Sequence, residues 1–255
     1  MKTTGHSIKL FWPVHFAALA GAVALALWGD LSYLWFWPVG WVLISGLGSA
    51  IGLHRVLSHR GIPEMSAFTK KVLTLLGCMA GQGSPIFWVA LHRGYHHSHA
   101  DKPRDIHSPI HGKFHAYLSW SWKIAPTDVN LKYAVDLLRD KFQVWVHTNY
   151  YKIVWGVIIA TALINWQLAV GLILLPMITG IHQEACINLF CHWPGLGYRN
   201  HEINDNSCNV PLLGYFAWGQ GWHNNHHKHP ANFNFGEKWW EFDPCMIFLP
   251  ILKRL

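Results

Sequence analysis

The chain has 255 residues, of which 51% are hydrophobic and 15% aromatic but only 13% charged, about half the ~25% charged share of a soluble domain; an ordinary soluble globule is excluded and a membrane setting indicated. The formal net charge of +7 has no span-free basic domain to carry it, which excludes a nucleic-acid-binding module. Five cysteines without a Cys-x-x-Cys pair exclude a disulfide framework or a cysteine zinc site and suit a reducing compartment.

Residues 10–28 and 31–53 are apolar runs of 19 and 23 residues, long enough where about 20 helical residues cross a bilayer core. The first is too long for a signal-peptide core and lacks a small-residue cleavage site, so it reads as a span. Gly29 and Asp30 hinge the pair, with Trp28, Tyr33, Trp35 and Trp37 where an interfacial aromatic belt belongs. Residues 72–91 are apolar but hold Gly77, Gly81, Gln82, Gly83, Ser84 and Pro85, which break both helix and apolarity. That segment is expected to be interfacial or re-entrant. Residues 145–164 make a weaker span, and Asn165, Trp166 and Gln167 hinge it to the 23-residue run 168–190.

Neither hinge contains Lys or Arg. The positive-inside rule therefore puts Met1, the long middle segment and Leu255 in the cytoplasm, where the basic charge also suits anionic lipid or an anionic headgroup. The expected fold is an all-α membrane protein of one domain over 1–255, with four transmembrane helices in two hairpins and a cytoplasmic helical cap.

That cap would collect the chain's unusual histidines. They form "HRVLSH" (His54, His59), "HRGYHH" (His92, His96, His97), "NLFCH" (Asn188, His192) and "HNNHH" (His223, His226, His227). At about 100° per residue of α-helix, His92 and His96 lie about 40° apart, whereas His92 and His97, like His54 and His59, lie about 140° apart. His223 and His227 align, with His226 about 60° to the other side. Such divergent pairs suit two metal ions better than one, and nine histidines are too many for a single four-coordinate zinc. Imidazole suits iron, copper, nickel and zinc, so the ligand type leaves the metal open.

His6, His15 and His147 read as interfacial side chains with their ring tips in water. His99, His107, His111, His115 and His229 lie near the clusters without sharing their spacing, and supporting, headgroup or solvated roles all suit them. Glu184 shares a helix face with Asn188 and His192. A carboxylate near a membrane helix end needs a partner, and a ligand histidine is the expected one.

In order, "HRVLSHR", "HRGYHHSHAD" with "DIHSP", "NLFCH" and "GQGWHNNHH" followed by "WWEFDP" resemble the membrane fatty-acid desaturases, specifically the acyl-CoA branch that includes the stearoyl-CoA enzymes. The resemblance covers residues from about 53 to 244. It implies a di-iron centre held by His54, His59, His92, His96, His97, His192, His223, His226 and His227, with Asn188 acting through water. Two departures stand out. Three residues rather than two separate His92 from its doublet, a spacing shared with membrane alkane hydroxylases, and Gln220 stands where the branch commonly has Glu.

The implied reaction is O2-dependent desaturation of a fatty acyl chain carried by coenzyme A, acyl carrier protein or lipid. Two of the four electrons that reduce dioxygen would come from the substrate. No dinucleotide fingerprint, flavin domain or haem domain is present in the sequence, so the other two imply a separate carrier, a ferredoxin or a small haem protein with its reductase. Zinc competes for imidazole sites and is an expected artefact of overexpression. The alternative is a di-iron alkane or fatty-acyl hydroxylase. A membrane metal transporter is more distant, because the histidines stop at one face instead of following a crossing path.

Overall fold

The computed structural model describes residues 5–254, which form helices, turns and isolated bridges but no strand. Met1 and Leu255, assigned above to the cytoplasmic side, lie outside the described residues. The chain runs through α1 (Ser7–Trp28) and α2 (Leu31–Ser58), then α3 (Ala67–Cys78) and α4 (Pro85–Leu91). After a loop-rich stretch come α5 (Lys141–Ile164) and α6 (Trp166–Phe190), followed by α7 (Pro211–Phe216) and α8 (His223–Lys228).

Three helices, α1, α2 and α6, are long and apolar enough to cross a membrane. Helix α5 has the length, 24 residues, or about 36 Å at 1.5 Å per residue. Its first half carries Lys141, His147, Asn149 and Lys152, which is why it reads less clearly as a span. Both hinges are set by side chains capping the following helix. Asp30 accepts from Ser32 N–H at 2.8 Å, and Asn165 accepts from Gln167 and Leu168 N–H at 2.9 and 3.2 Å. The hinges also touch, Asp30 N–H donating to Gln167 Oε1 and Asn165 Nδ2 to the Tyr33 hydroxyl. Both hairpins therefore turn at one end of the bundle, and His54 and His192 lie toward the other.

Residues 60–91 leave the far end of α2 and come back to it, because His59 Nε2 lies 2.8 Å from His92 Nε2. The reversal is the turn between α3 and α4, where Gly81 and Gly83 have φ of 73° and 100°, values that favour glycine. Ser84 then caps α4, with Pro85 in its first turn. Helix α3 lies directly on α2: a Cβ at Gly48 would come within 2.6 Å of the Leu76 backbone.

Among the described stretches that wind more widely than an α-helix, two carry cluster histidines. The second part of α2, Val42–Ser58, and the continuation of α4, His92–His97, are π-helical, with hydrogen bonds five residues apart. The loop-rich C-terminal part is tied to α2 by Arg55, which is fully buried. Its guanidinium donates to the carbonyls of Ala50, Trp218 and Phe233 and to Asp243 Oδ2 at 2.9 Å, and it stacks 3.8 Å above the Phe235 ring.

Candidate metal centre

All nine cluster histidines converge, in two groups. His54, His59, His92, His97 and His226 place their ring nitrogens within 4.8 Å of one another, and so do His96, His192, His223 and His227. The groups adjoin through the neighbours His96 and His97 on one side and His226 and His227 on the other, with the His97 and His227 rings stacked at 4.5 Å.

The pairing differs from that expected of α-helices. In that geometry His92 would share a point with His96, and His54 and His59 would diverge. Instead His92 goes with His97, His54 goes with His59, and His96 alone of its box joins the second group. The cause is the wide turn: a five-residue hydrogen-bond register brings residues five apart onto one face, as the bond from His59 N–H to His54 O at 3.1 Å records. Helix α8 is an ordinary α-helix, and there His223 and His227 share one group while His226 faces the other, as α-helical spacing predicts.

Three aspartates set the second group. Nδ1 of His192, His96 and His227 lies 2.9, 3.2 and 3.0 Å from Asp101, Asp105 and Asp205 respectively, and Nδ1 of His223 lies 3.1 Å from the Gln220 carbonyl. Ionised carboxylates and carbonyls only accept, so each Nδ1 carries the proton and each Nε2 presents a lone pair. Yet His192 and His223 face each other Nε2 to Nε2 at 3.0 Å, and His96 and His227 at 3.1 Å. Opposed lone pairs at that distance call for a cation between them. Metal–imidazole bonds of about 2.1 Å at right angles would separate neighbouring nitrogens by about 3 Å. The first group has the same spacing, 2.9 Å for His54 to His226 and 3.0 Å for His97 to His226. There the Nδ1 atoms of His54 and His226 are buried without a partner.

Burial governs the charge of most of these rings. Burial pushes His92, His97, His223, His226 and His227 well below the ordinary imidazole value and His59 down to about 3, so these rings are neutral and free to ligate. His192 goes the other way. Burial lowers it, but the Asp101 hydrogen bond and the charges of Asp101, Asp105 and Asp205 outweigh burial and raise it. Asp101 answers in kind: burial alone would raise its carboxyl, while His192, Asn206 N–H and Ser108 together hold it below the usual range.

Glu184 was expected beside a ligand histidine. Its hydrogen bonds run instead to Ser49 Oγ, at 3.1 Å, and to Gln220 Nε2, and the carboxylate–imidazole contacts are made by Asp101, Asp105 and Asp205. Gln220 suits this arrangement because its amide donates to Glu184 where a second carboxylate would repel it. Asn188, Glu184 and Gln220 line a cavity of about 260 Å³ together with His92, His96 and His223. Helix α4 runs along the cavity wall from Ser84 to His92, about 12 Å at 1.5 Å per residue. Phe87, Trp88 and Leu91 make much of the wall apolar, and Trp88 stacks on His92 at 4.8 Å. Around Ser84 the lining turns polar, with His6, His147, Tyr150 and Tyr151. His6 and His147, read from sequence as interfacial, thus face the cavity.

Sequence reasoning left the three aspartates unassigned. Asp105 stands nine residues from His96, so proximity to the second box was an available signal for it, whereas Asp101 reaches His192 across 91 residues and Asp205 reaches His227 from a separate loop. His107 also belongs here, its Nδ1 3.7 Å from Asp105 and its ring 4.7 Å from that of His96. The two asparagines of "HNNHH" hold the loops and not the metal pockets: Asn224 bonds to His201 and Asn200, and Asn225 to Asn209, Phe235 O and Glu241. Replacing Asp101 by Asn is expected to weaken metal retention by about 10- to 100-fold, the usual effect of removing the partner of a ligand histidine. Metal content after stepwise chelation checks this, and retention equal to the parent would refute it.

A helical chain with three helices long and apolar enough to cross a membrane, and with nine imidazoles gathered in two adjacent groups that could each hold a metal ion, belongs by class with the histidine-rich metal-binding proteins. The sequence model described as Fatty acid desaturase matches residues 33–245. The chain is 30% identical to an sn-1 stearoyl-lipid 9-desaturase of Synechocystis sp., over 84% of this chain and 67% of that protein. It is 31% identical to Delta-9 acyl-lipid desaturase 2 of Arabidopsis thaliana (94% and 74%) and 31% identical to a hex-5-enoyl-[acyl-carrier protein] acetylenase of Moorena producens (86% and 77%). The chain belongs to the fatty acid desaturase family. It is an enzyme, an oxidoreductase that desaturates fatty acyl chains.

Proposed function

We propose that the nine histidines hold two irons and that the chain uses them, with dioxygen and two external electrons, to place a double bond in an acyl chain lying in the cavity beside them. What carries this reading is the opposed Nε2 pairs of the second group, whose Nδ1 protons are committed to aspartates and a carbonyl and whose lone pairs need a cation. Two bound ferrous ions would supply the dioxygen-derived oxidant that an unactivated C–H bond requires. The balance is R–CH2–CH2–R′ + O2 + 2 e− + 2 H+ → R–CH=CH–R′ + 2 H2O.

The residues around the centre bind, orient and exclude water. Phe87, Trp88 and Leu91 offer an apolar wall that an alkyl chain can replace water against. Holding one methylene pair against the centre converts an improbable encounter into a positioned one. The polar lining near Ser84 suits the carbonyl end of the acyl group, since the hydroxyls of Tyr150 and Tyr151 and the imidazoles of His6 and His147 can donate to it. The electrons come from a separate carrier, a ferredoxin or a small haem protein, docking on the cytoplasmic side. Relatives named for lipid-bound and for carrier-protein-bound acyl groups leave coenzyme A, acyl carrier protein and lipid as the carriers to assay.

Iron-loaded protein incubated with dioxygen, an electron-transfer chain and a panel of acyl thioesters and lipids is expected to yield products two mass units lighter than substrate. Products sixteen units heavier, with no alkene across the panel, would refute the reading in favour of a hydroxylase.

The four long helices cross the membrane as two hairpins, with the hinges outside and the centre in a cytoplasmic cap. Cysteine labelling in intact vesicles should find Lys102→Cys on the cytoplasmic side and Asp30→Cys on the other. Labelling of both positions from one side would break the four-span topology.

A further inference from the structure

Among the described residues, a cluster of metal-ligating side chains lies outside the paired pockets: His201, His229 and Glu237, whose ligand atoms all fall within 4.8 Å of one another. We propose that these three residues form a third metal site, for one zinc-like transition cation, on the surface of the C-terminal part of the chain. His201 Nε2 stands 2.9 and 2.7 Å from the two Glu237 oxygens, and the His229 ring lies 5.3 Å from the His201 ring at 89°. An exposed His–Glu pair by itself contributes little. A second imidazole turned into the same small volume makes a different donor set, two borderline nitrogens and one carboxylate. Such a set suits zinc and its neighbours and not magnesium or calcium, which take oxygen donors. Three protein ligands leave a fourth position for water or a small anion.

The three residues come from separate segments, and each is presented by a backbone already held in place. Asn224, itself fully buried, brackets His201 by accepting from its N–H at 2.8 Å and donating to its carbonyl at 3.0 Å. His229 N–H donates to Asn225 O at 2.9 Å, and Glu237 N–H donates to Glu241 Oε2 at 2.8 Å. The asparagines of "HNNHH" thus place the histidines of the paired pockets on one side and this cluster on the other. His201 and Glu237 side chains are 23% and 31% exposed, open enough for a cation to enter from solvent. A bound ion would tie the loop containing Asp205 to the segment following His227, and so brace the contact between Asp205 and His227.

The test is a metal count on the full chain in detergent. Protein loaded with iron is dialysed to equilibrium against graded zinc, and iron and zinc are measured together. Wild type is expected to take up one zinc per chain beyond the metals it already holds. His229→Ala and Glu237→Gln should each end one metal per chain below wild type with their iron content unchanged, and their thermal midpoints should lose the rise that zinc gives wild type. Equal total metal in wild type and both variants would overturn the third site, as would zinc uptake matched by iron loss to the same extent in all three. Because the readout is a difference of one metal between wild type and variants, it stands whether or not the paired pockets hold two irons.

Discussion

Replacing His226 by Ala is expected to abolish desaturation and to cost the protein the ion of its five-histidine pocket. His226 is completely buried, and its Nε2 lies 2.9 Å from that of His54 and 3.0 Å from that of His97; removing it opens the one contact that joins α8 to both α2 and α4 in that pocket. Removing even a partner of a ligand costs about 10- to 100-fold, so losing a ligand should cost more, on the order of 100-fold or beyond. Helix content and membrane insertion should be retained, because Trp222 beside it packs independently, its indole donating to Phe242 O at 3.0 Å. Metal analysis, circular dichroism and product formation on one preparation check the three statements together. A His226→Ala protein with full metal content and parental turnover would sink the assignment.

The second large effect is on stability. Asp243→Ala leaves the Arg55 guanidinium buried without its counter-charge, since both side chains are 0% exposed in the pair. It also strips the acceptors of the Phe235 and Cys245 N–H groups. Breaking a buried ion pair costs roughly 3–5 kcal/mol, and at about 2–4 °C per kcal/mol for a chain of this size the unfolding midpoint should fall by roughly 6–20 °C. The double variant Arg55→Met/Asp243→Leu removes both charges and should recover much of that loss. A single variant as stable as the parent would show that Arg55 finds its compensation in the three carbonyls alone.

Much of the centre was legible because its ligands are of one rare type and come in local doublets. Nine histidines declared themselves, and the hinges at Gly29–Asp30 and Asn165–Gln167 did so as short breaks between apolar runs. What stayed hidden depends on contacts between distant segments. Asp205 meets His227, Asp243 meets Arg55 and Glu237 meets His201 only once the loops are folded, and no local period marks any of them. The assignment of Glu184 failed for a related reason. Sharing a helix face with Asn188 and His192 says which way a carboxylate points but not which side chain from another helix arrives first, and here that was Gln220.

The wide helical turn at His92–His97 also bears on how such chains are compared. With one residue more between the first histidine and the doublet, the box would scatter its rings around an α-helix. Wound with five-residue hydrogen bonds, the same six residues deliver His92 and His97 to one pocket and His96 to the next. The room for this comes from Gly94, where any Cβ would collide with the Tyr133 ring at 2.1 Å. Box length is therefore a gauge of helix pitch. In this chain the third intervening residue is taken up by the wider winding, so the residue count of the box is a statement about pitch before it is one about chemistry.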